Sequence, residues 1–403
     1  MMALGRKNQE YNFWVMRNAT LKLRFDIVLF TLARTVINTS YRMVYPFLPV
    51  FARGLGVEPA SLALSFSVRS FLGVFGPSMA TVSDTHDRKT GILLGIGLFT
   101  TGSGVVGIWP SFWGFILGTS LVLLGNGVFI PSINAYLGDR IAYAKRGRVL
   151  AVTELSWALA FIGGIPLIQL LIDNYLWMTP FIVFSVAGFL FFLAFFLLLP
   201  AQQRENSHDN TIWRNLAGVI GSWPALAGLF TGIFFTGANE VVNLIFGVWI
   251  EDQFGLNFAA LTIASVVIGV SELGGEIFTG IWLDKIGKRR MIWSFLGLNS
   301  LAAFLLPLAS RSLGFTMAGL GLFYITFEVV LVSMLTLMSE VYPSARATMM
   351  AATVAGFSLG RMFGDLIGPG LYGINFWLSC GAAIVLNGFA AIFLTQVKLN
   401  KYP

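Results

Sequence analysis

Apolar positions in this chain come in long runs, each closed by a short polar or Gly/Pro-bearing gap. The runs are too long and too uniformly apolar for strands or for amphipathic surface helices. About 20 apolar residues cross a bilayer core as a helix. Twelve runs meet that length, at about 25–51, 60–83, 90–110, 112–137, 149–173, 177–199, 224–250, 258–283, 290–310, 313–339, 347–373 and 376–396. They nearly exhaust the chain and leave no room for a separate soluble domain, so the pattern predicts an all-α membrane protein. The polar stretches divide it into a segment 1–24, a six-helix bundle 25–200, a linker 201–223 around Arg204, Glu205, His208 and Asp209, a second six-helix bundle 224–397, and a tail 398–403. In the first segment Tyr11, Phe13, Trp14, Val15 and Leu21 alternate with Arg17, Lys22 and Arg24, which suits a short interfacial helix or a disordered tail.

The two halves repeat one another in their polar gaps. After the eighth run come Gly280, Asp284, Gly287 and Lys288-Arg289-Arg290; 200 residues earlier come Ala80, Asp84, Asp87 and Arg88-Lys89. Gly280, four residues before Asp284, allows a neighbouring helix to approach closely. Asp284 is placed to accept hydrogen bonds from helix-end amides and to pair with a base. A second repeat sets Asp139 before Arg146 and, 201 residues on, Glu340 before Arg346, so that an acid ending one helix and a base opening the next are expected to clasp. The first pair of loops resembles the signature of the major facilitator superfamily, Gly-x-x-x-Asp-Arg/Lys-x-Gly-Arg/Lys-Arg/Lys. The copy at Gly280 is nearly complete. In the earlier copy Ala80 replaces the first glycine, Thr85 the first base and Asp87 the second glycine. The resemblance implies the MFS fold, twelve transmembrane helices in two pseudo-symmetric six-helix bundles around a central cavity, with access alternating as the halves rock. It also implies that Asp84, Arg88, Asp284 and Lys288 belong to charge networks holding one face shut.

Composition narrows the class. Hydrophobic residues make up 56 % of the chain and charged ones 11 %, and mean hydropathy is +0.77, outside soluble usage. The net charge of +7 would suit an anionic partner, but the bases are placed otherwise. With a cytoplasmic N-terminus, 20 of the 26 Lys and Arg fall on the cytoplasmic side, Arg53 and Arg311 outside, and Arg34, Arg42, Arg69 and Arg361 within spans. That asymmetry orients the chain, both ends inside, in a bacterial plasma membrane, and makes nucleic acid an unneeded inference. The single Cys380 excludes an internal disulfide. His86 and His208 form no metal spacing, and the absence of a phosphate loop argues against ATP as the energy source. The first 24 residues lack the apolar core and cleavage site of a signal peptide. A non-enzymatic carrier with no cofactor, fed by a proton or other ion gradient, fits best.

Charges inside the spans carry the candidate chemistry, since each costs about 2.5–3.5 kcal/mol at mid-bilayer. Arg34, Asn38, Arg42 and Tyr45 follow one helical face, and Arg69 is expected at the depth of Arg42. Their guanidiniums can hold a carboxylate or phosphate or pair structurally with Glu154, the latter more so for Arg34. Asn239, Glu240, Asn243, Glu272 and Glu328 put the opposite sign in the second half. Glu272 and Glu276, one turn apart, should titrate together, and Arg361 and Asp365, also one turn apart, are expected in an intrahelical or interhelical ion pair. Asn126, Trp157 and Trp249 are further candidates for the cavity wall. Gly356, Gly360, Gly364 and Gly368 form a stripe suited to close helix packing, with Gly368-Pro369 a secondary hinge candidate. The resulting expectation has Asn38, Arg42, Tyr45, Arg69, Asn126, Trp157, Asn239, Asn243 and Arg361 binding substrate. Glu154, Glu240, Glu272, Glu276, Glu328 and Asp365 would handle protons, and Asp84, Arg88, Asp139, Arg146, Gly280, Asp284, Lys288, Glu340 and Arg346 would gate the cytoplasmic face. Compact length and short loops look closest to bacterial multidrug-type exporters of the family. The expected activity is proton-coupled export of a small organic or amphiphilic solute, anionic ones included, by a monomer among membrane lipids. The alternatives are a lipid or glycolipid flippase and a proton-coupled importer.

Overall fold

The computed structural model describes residues 23–76, 87–141, 143–200, 211–255 and 258–398, with the side chains of 64, 143–148, 150, 151 and 211–213 outside that description. Nearly all of the expected N-terminal segment, Asp84, the Arg146 side chain, linker residues 201–210 and tail residues 399–403 therefore lie outside it. Among the described residues no strand occurs, and helices follow the twelve apolar runs. The first run is α1 (23–42) and α2 (Leu48–Leu55), and the second is α3 (Pro59–Gly73). Then come α4 (Arg88–Ile108), α5 (Phe112–Arg140), α6 (Tyr143–Leu159) continued by a π-helical turn (Ala160–Gly164) and α7 (Ile165–Asn174), and α8 (Thr179–Leu198). A short α9 (Thr211–Gly221) leads into the second half. That half holds α10 (Trp223–Asn243) and α11 (Phe246–Phe254), α12 (Phe258–Ile286), α13 (Lys288–Ala309), α14 (Leu313–Val341), α15 (Arg346–Ile374) and α16 (Phe376–Gln396).

Local chemistry sets several of these bounds. Side chains cap three helix starts on one face: Ser111 accepts from the Gly114 amide (3.1 Å), Ser312 from Phe315 (3.3 Å) and Asn375 from Trp377 (2.9 Å). Among the described residues, nine helices are long and apolar enough to cross a membrane by length and composition. Of the three runs outside that set, the first and eleventh hold Arg34 and Arg42, and Arg361 with Asp365, charges that lower their apolarity, while the second is described as a helix of only 15 residues. The connections at 109–111, 175–178 and 310–312 share one face, here the far face. Those at 141–142, 287 and 342–345 share the other, called the basic face.

Small residues let the helices close on one another, as expected where lipid removes the hydrophobic drive. Alanine-sized bulk at Gly360 would lie 2.1 Å from the Ile233 carbonyl oxygen, and at Gly364 2.6 Å from Glu240 Cβ, so the expected glycine stripe seats α15 on α10. α15 runs unbroken through Pro369. Gly280 departs from its expected packing role: nothing lies within 4 Å of a Cβ built there. The tight contacts on α12 fall instead at Gly269, against Phe161 Cβ (2.4 Å), and at Gly275, against Glu328 Cβ (2.8 Å) of α14.

The halves meet in three places. α3 lies along α15, with the Ser70 hydroxyl donating to Asp365 (2.6 Å). Phe161 of the π-helical turn packs where Gly269 of α12 leaves room, and at the far face Gly247 sits against the Tyr45 and Pro46 carbonyls. An Arg53–Glu251 ion pair joins α2 to α11 there. At the basic face, two ion pairs form within single halves: Arg88 with Asp139 (3.3 Å), and Lys288 with Glu340.

Candidate functional site

Two broken helices create the site. The first run leaves helical geometry at 43–47 around Pro46, and the seventh breaks at Leu244 and Ile245 between α10 and α11. Breaks at matching positions of two halves aim side chains and backbone at a central space. The expected single face of Arg34, Asn38, Arg42 and Tyr45 therefore divides. The first three face α6, and the break turns Tyr45 toward α3, where its hydroxyl accepts from Arg69 (2.7 Å).

Arg42 is the centre of the arrangement. Its Nη1 donates to Glu272 Oε1 (2.9 Å) across the two halves, and its guanidinium carbon lies 3.5 Å from the Trp157 ring centroid and 4.2 Å from that of Phe161. The Arg42 Nε and Glu272 Oε2 are buried without a partner. Opposite, Glu240 accepts from the Asn243 amide (3.2 Å to each oxygen) and stands 4.0 Å from Arg361, while Tyr324 donates to Asn243 Oδ1 (2.7 Å). Arg361 also donates to the Tyr41 hydroxyl (3.3 Å). These groups enclose a cavity of about 30 Å3, lined by Tyr41, Arg42, Trp157, Glu240, Asn243 and Tyr324 among others. That is room for about one water.

Of the predicted site residues, Arg42, Tyr45, Trp157, Asn239, Glu240, Asn243, Glu272 and Arg361 line this cavity. The others are placed elsewhere. Asn38 donates to Ser156 (3.2 Å), and Arg34 grips both oxygens of Glu154 (2.8 and 2.6 Å). Arg69 lies behind Tyr45, its guanidinium 4.4–5.3 Å from the rings of Tyr41, Phe66 and Tyr45. Asn126 sits on α5 beside Gly125, whose missing side chain lets α4 approach, and its buried oxygen has no partner. Trp249 stacks on Phe376 with centroids 4.4 Å apart, near the far face. Glu276 faces a separate side cleft. Glu328 is buried on α14, and the charges nearest it are Glu272, Glu276, Arg42 and Arg361.

One expected pairing is replaced by another, and one forms between helices rather than within one. Arg361 pairs with Glu240 rather than with Asp365, because α10 is packed against the glycine face of α15 and presents its carboxylate there. Glu340 pairs with Lys288 rather than Arg346, which is exposed at the start of α15, and Asp139 pairs with Arg88, while the side chain of its expected partner Arg146 lies outside the described residues. Asp284 caps no helix end, since Gly287 at φ 89° turns the chain into α13 without a side-chain cap. Sequence reasoning missed Tyr41, Phe161, Tyr324 and Ser70. A turn's spacing could have found two of them, Phe161 four residues after Trp157 and Tyr324 four before Glu328. Ser70 carries no such signal.

Comparison with known proteins gives a consistent result. The family model described as Major Facilitator Superfamily matches residues 30–364 and 228–401. The uncharacterized MFS-type transporter YwfA of Bacillus subtilis (strain 168) is 27 % identical over 373 residues, 89 % of each chain. A multi-drug resistance efflux pump PmrA homolog of Lactococcus lactis subsp. lactis (strain IL1403) is 24 % identical over 414 residues, covering 96 % of this chain and 98 % of that one. The solved structure of a D-xylose-proton symporter superposes with a TM-score of 0.72 at 15 % identity, over 93 % of this chain and 98 % of that chain.

Proposed function

We propose that this chain, which belongs to the Major Facilitator Superfamily and is one of its multi-pass membrane transporters, exports a small amphiphilic organic solute in exchange for protons. One observation carries the proposal: the Arg42–Glu272 ion pair, buried in the central cavity, bridges the two halves. A proton delivered to Glu272 removes its charge and frees Arg42, so the bridge between halves loosens in the same event. Glu328, close behind, makes no hydrogen bond or ion pair with a described residue and is the natural neighbour to pass that proton on. Lone buried charges are costly while paired ones are tolerated. Solute and proton therefore compete for the same few groups, as exchange requires. The guanidiniums expected to hold an anion are already engaged, so the cargo must exchange with an existing pair rather than fill an empty one. The kinship with an efflux pump homolog supports export. Basic residues at one face support a cytoplasmic location for that face and for both chain ends, and the carrier works as a monomer surrounded by lipid.

The test uses the purified protein in vesicles holding a pH-sensitive dye, with a panel of amphiphilic compounds added under an imposed pH gradient. The expected result is compound-dependent proton movement in the wild type, and solute flux uncoupled from protons in Glu272→Gln. Solute flux indifferent to the gradient in the wild type would overturn the proposal.

A further inference from the structure

A second, larger space lies beside the central cavity and takes no part in the exchange just described. This cleft of about 460 Å3 separates α6 from α12, with Val332 of α14 as its third wall. Leu155, Ala158 and Leu273 give it an apolar lining, and Glu154 and Glu276 supply two carboxyl groups. Glu154 lies eleven residues along α6 from the basic face and Glu276 ten residues along α12. Counted from the ends of the apolar runs at 149 and 283, at 1.5 Å per residue, they are about 8 and 11 Å deep, inside a hydrocarbon core about 30 Å thick. Leu155, Leu159 and Ile277 are exposed on the same two helices, so the cleft opens beside surface that faces acyl chains.

The two acids differ. Arg34 neutralises Glu154 through both oxygens, whereas Glu276 makes no ion pair or hydrogen bond with a described residue; Glu272, Glu154 and Arg42 are the charges around it. The cleft thus carries one uncompensated carboxyl group in an apolar setting next to an indole. That indole, Trp157, also lines the central cavity, where Arg42 stacks on it. A single side chain is the partition between the two spaces. Directly after it the helix widens into the π-helical turn Ala160–Gly164, a feature common at functional sites, and nothing lies within 4 Å of a Cβ at Gly163.

We propose that the cleft is a vestibule, reached from within the bilayer, for an amphiphile bearing one cationic head. The head sits between the Glu276 carboxylate and the Trp157 face, where charge pairing and cation–π attraction act together, and the apolar body lies against Leu155, Leu273 and Val332. Displacement of the indole then delivers the head to the Arg42–Glu272 pair. Only this last step rests on the transport proposal; occupancy of the cleft does not.

Binding of rhodamine 6G, a lipophilic cation, to the full chain in lipid nanodiscs tests this by fluorescence anisotropy, with anilinonaphthalene sulfonate as an anionic amphiphile. Saturable binding of the cation is expected, weakened at least tenfold in Glu276→Gln and retained in Glu276→Asp, with little competition from the anion. Ala158→Trp and Val332→Trp fill the cleft from different walls and should each weaken binding as strongly. Glu276→Gln changes no volume, so it answers the question even if the tryptophan variants fail to fold. Absence of saturable binding, unchanged affinity in Glu276→Gln, or equal competition by the anion would overturn the vestibule. Should the cation bind as described while wild-type vesicles show no gradient-driven flux, the exchange proposal falls and the site stands. Gradient-driven flux with unaltered cation binding in both tryptophan variants has the opposite meaning.

Discussion

Arg42 is held from several sides in the bilayer-spanning part of the molecule. Carboxylate, indole and phenyl groups surround it, and its side chain is 10 % exposed against 5 % for Glu272. Removing one partner of a buried pair strands the other, at a cost of about 3–5 kcal/mol, whereas removing both is often far milder. Arg42→Ala is therefore expected to lower the unfolding temperature markedly in detergent, and Arg42→Ala/Glu272→Ala to recover part of the loss. Simple additivity of the two single variants would show that the pair is not coupled. Arg42→Lys keeps the charge without the flat guanidinium that stacks on Trp157, and its transport should fall well below wild type while its stability stays above that of Arg42→Ala. Glu154 offers the contrast. Its bond to Arg34 is bidentate, yet its side chain is 52 % exposed against 5 % for Glu272, so the protein encloses it far less. Glu154→Gln should cost less stability than Glu272→Gln when the two melt side by side.

At the level of helices, stability and legibility both turn on glycine. Gly360 and Gly364 are where α15 touches α10, so Gly360→Leu forces the pair apart; overpacking of this kind costs about 1–3 kcal/mol. Gly356→Ala should be tolerated, since its Cβ would stop 3.6 Å from the nearest atom, and Gly280→Ala should leave thermal stability unchanged despite its place in the signature loop. A thermal-shift series over these variants checks the ranking, and a large loss at Gly280 would refute it. Periodicity made the stripe readable, because four glycines a turn apart leave one packing solution on their helix. Gly280 was misjudged because spacing says which side of a helix a residue occupies, not which neighbour stands there. The same limit explains Arg361. Its turn-spaced Asp365 was visible along the chain, but Glu240 reached it from α10 across 121 residues of sequence. The first break could be suspected from Pro46 and Pro49. The matching one at Leu244 has no proline and needed coordinates.

Across the whole molecule, contacts between the halves gather at mid-depth and at the far face. Gly247 rests on the Tyr45 and Pro46 carbonyls, Phe47 lies 6.5 Å from Phe258 between ring centroids, and Arg53 pairs with Glu251. Tyr372 donates to Asp252 (2.5 Å) one residue further on, tying α15 to α11 within the second half. The exchange proposed above requires the inter-half contacts to part as those on the basic face form, since a cavity open at both faces would dissipate the gradient. The weakest of them is the exposed ion pair: Arg53 is 49 % exposed, and pairs of that kind contribute about 0–1 kcal/mol. That makes it a suitable place to lock the halves without disturbing the core. With the buried Cys380 replaced by serine, Arg53→Cys/Glu251→Cys should remain active while reduced, because the charges lost there hold little energy. A short bifunctional thiol reagent should then arrest transport in vesicles, and a cleavable version of the same reagent should restore it on reduction. Cross-linked protein that still transports at the uncross-linked rate would mean that the far face never opens. The cargo would then have to leave by another route, and the rocking of two halves would lose its role in this chain.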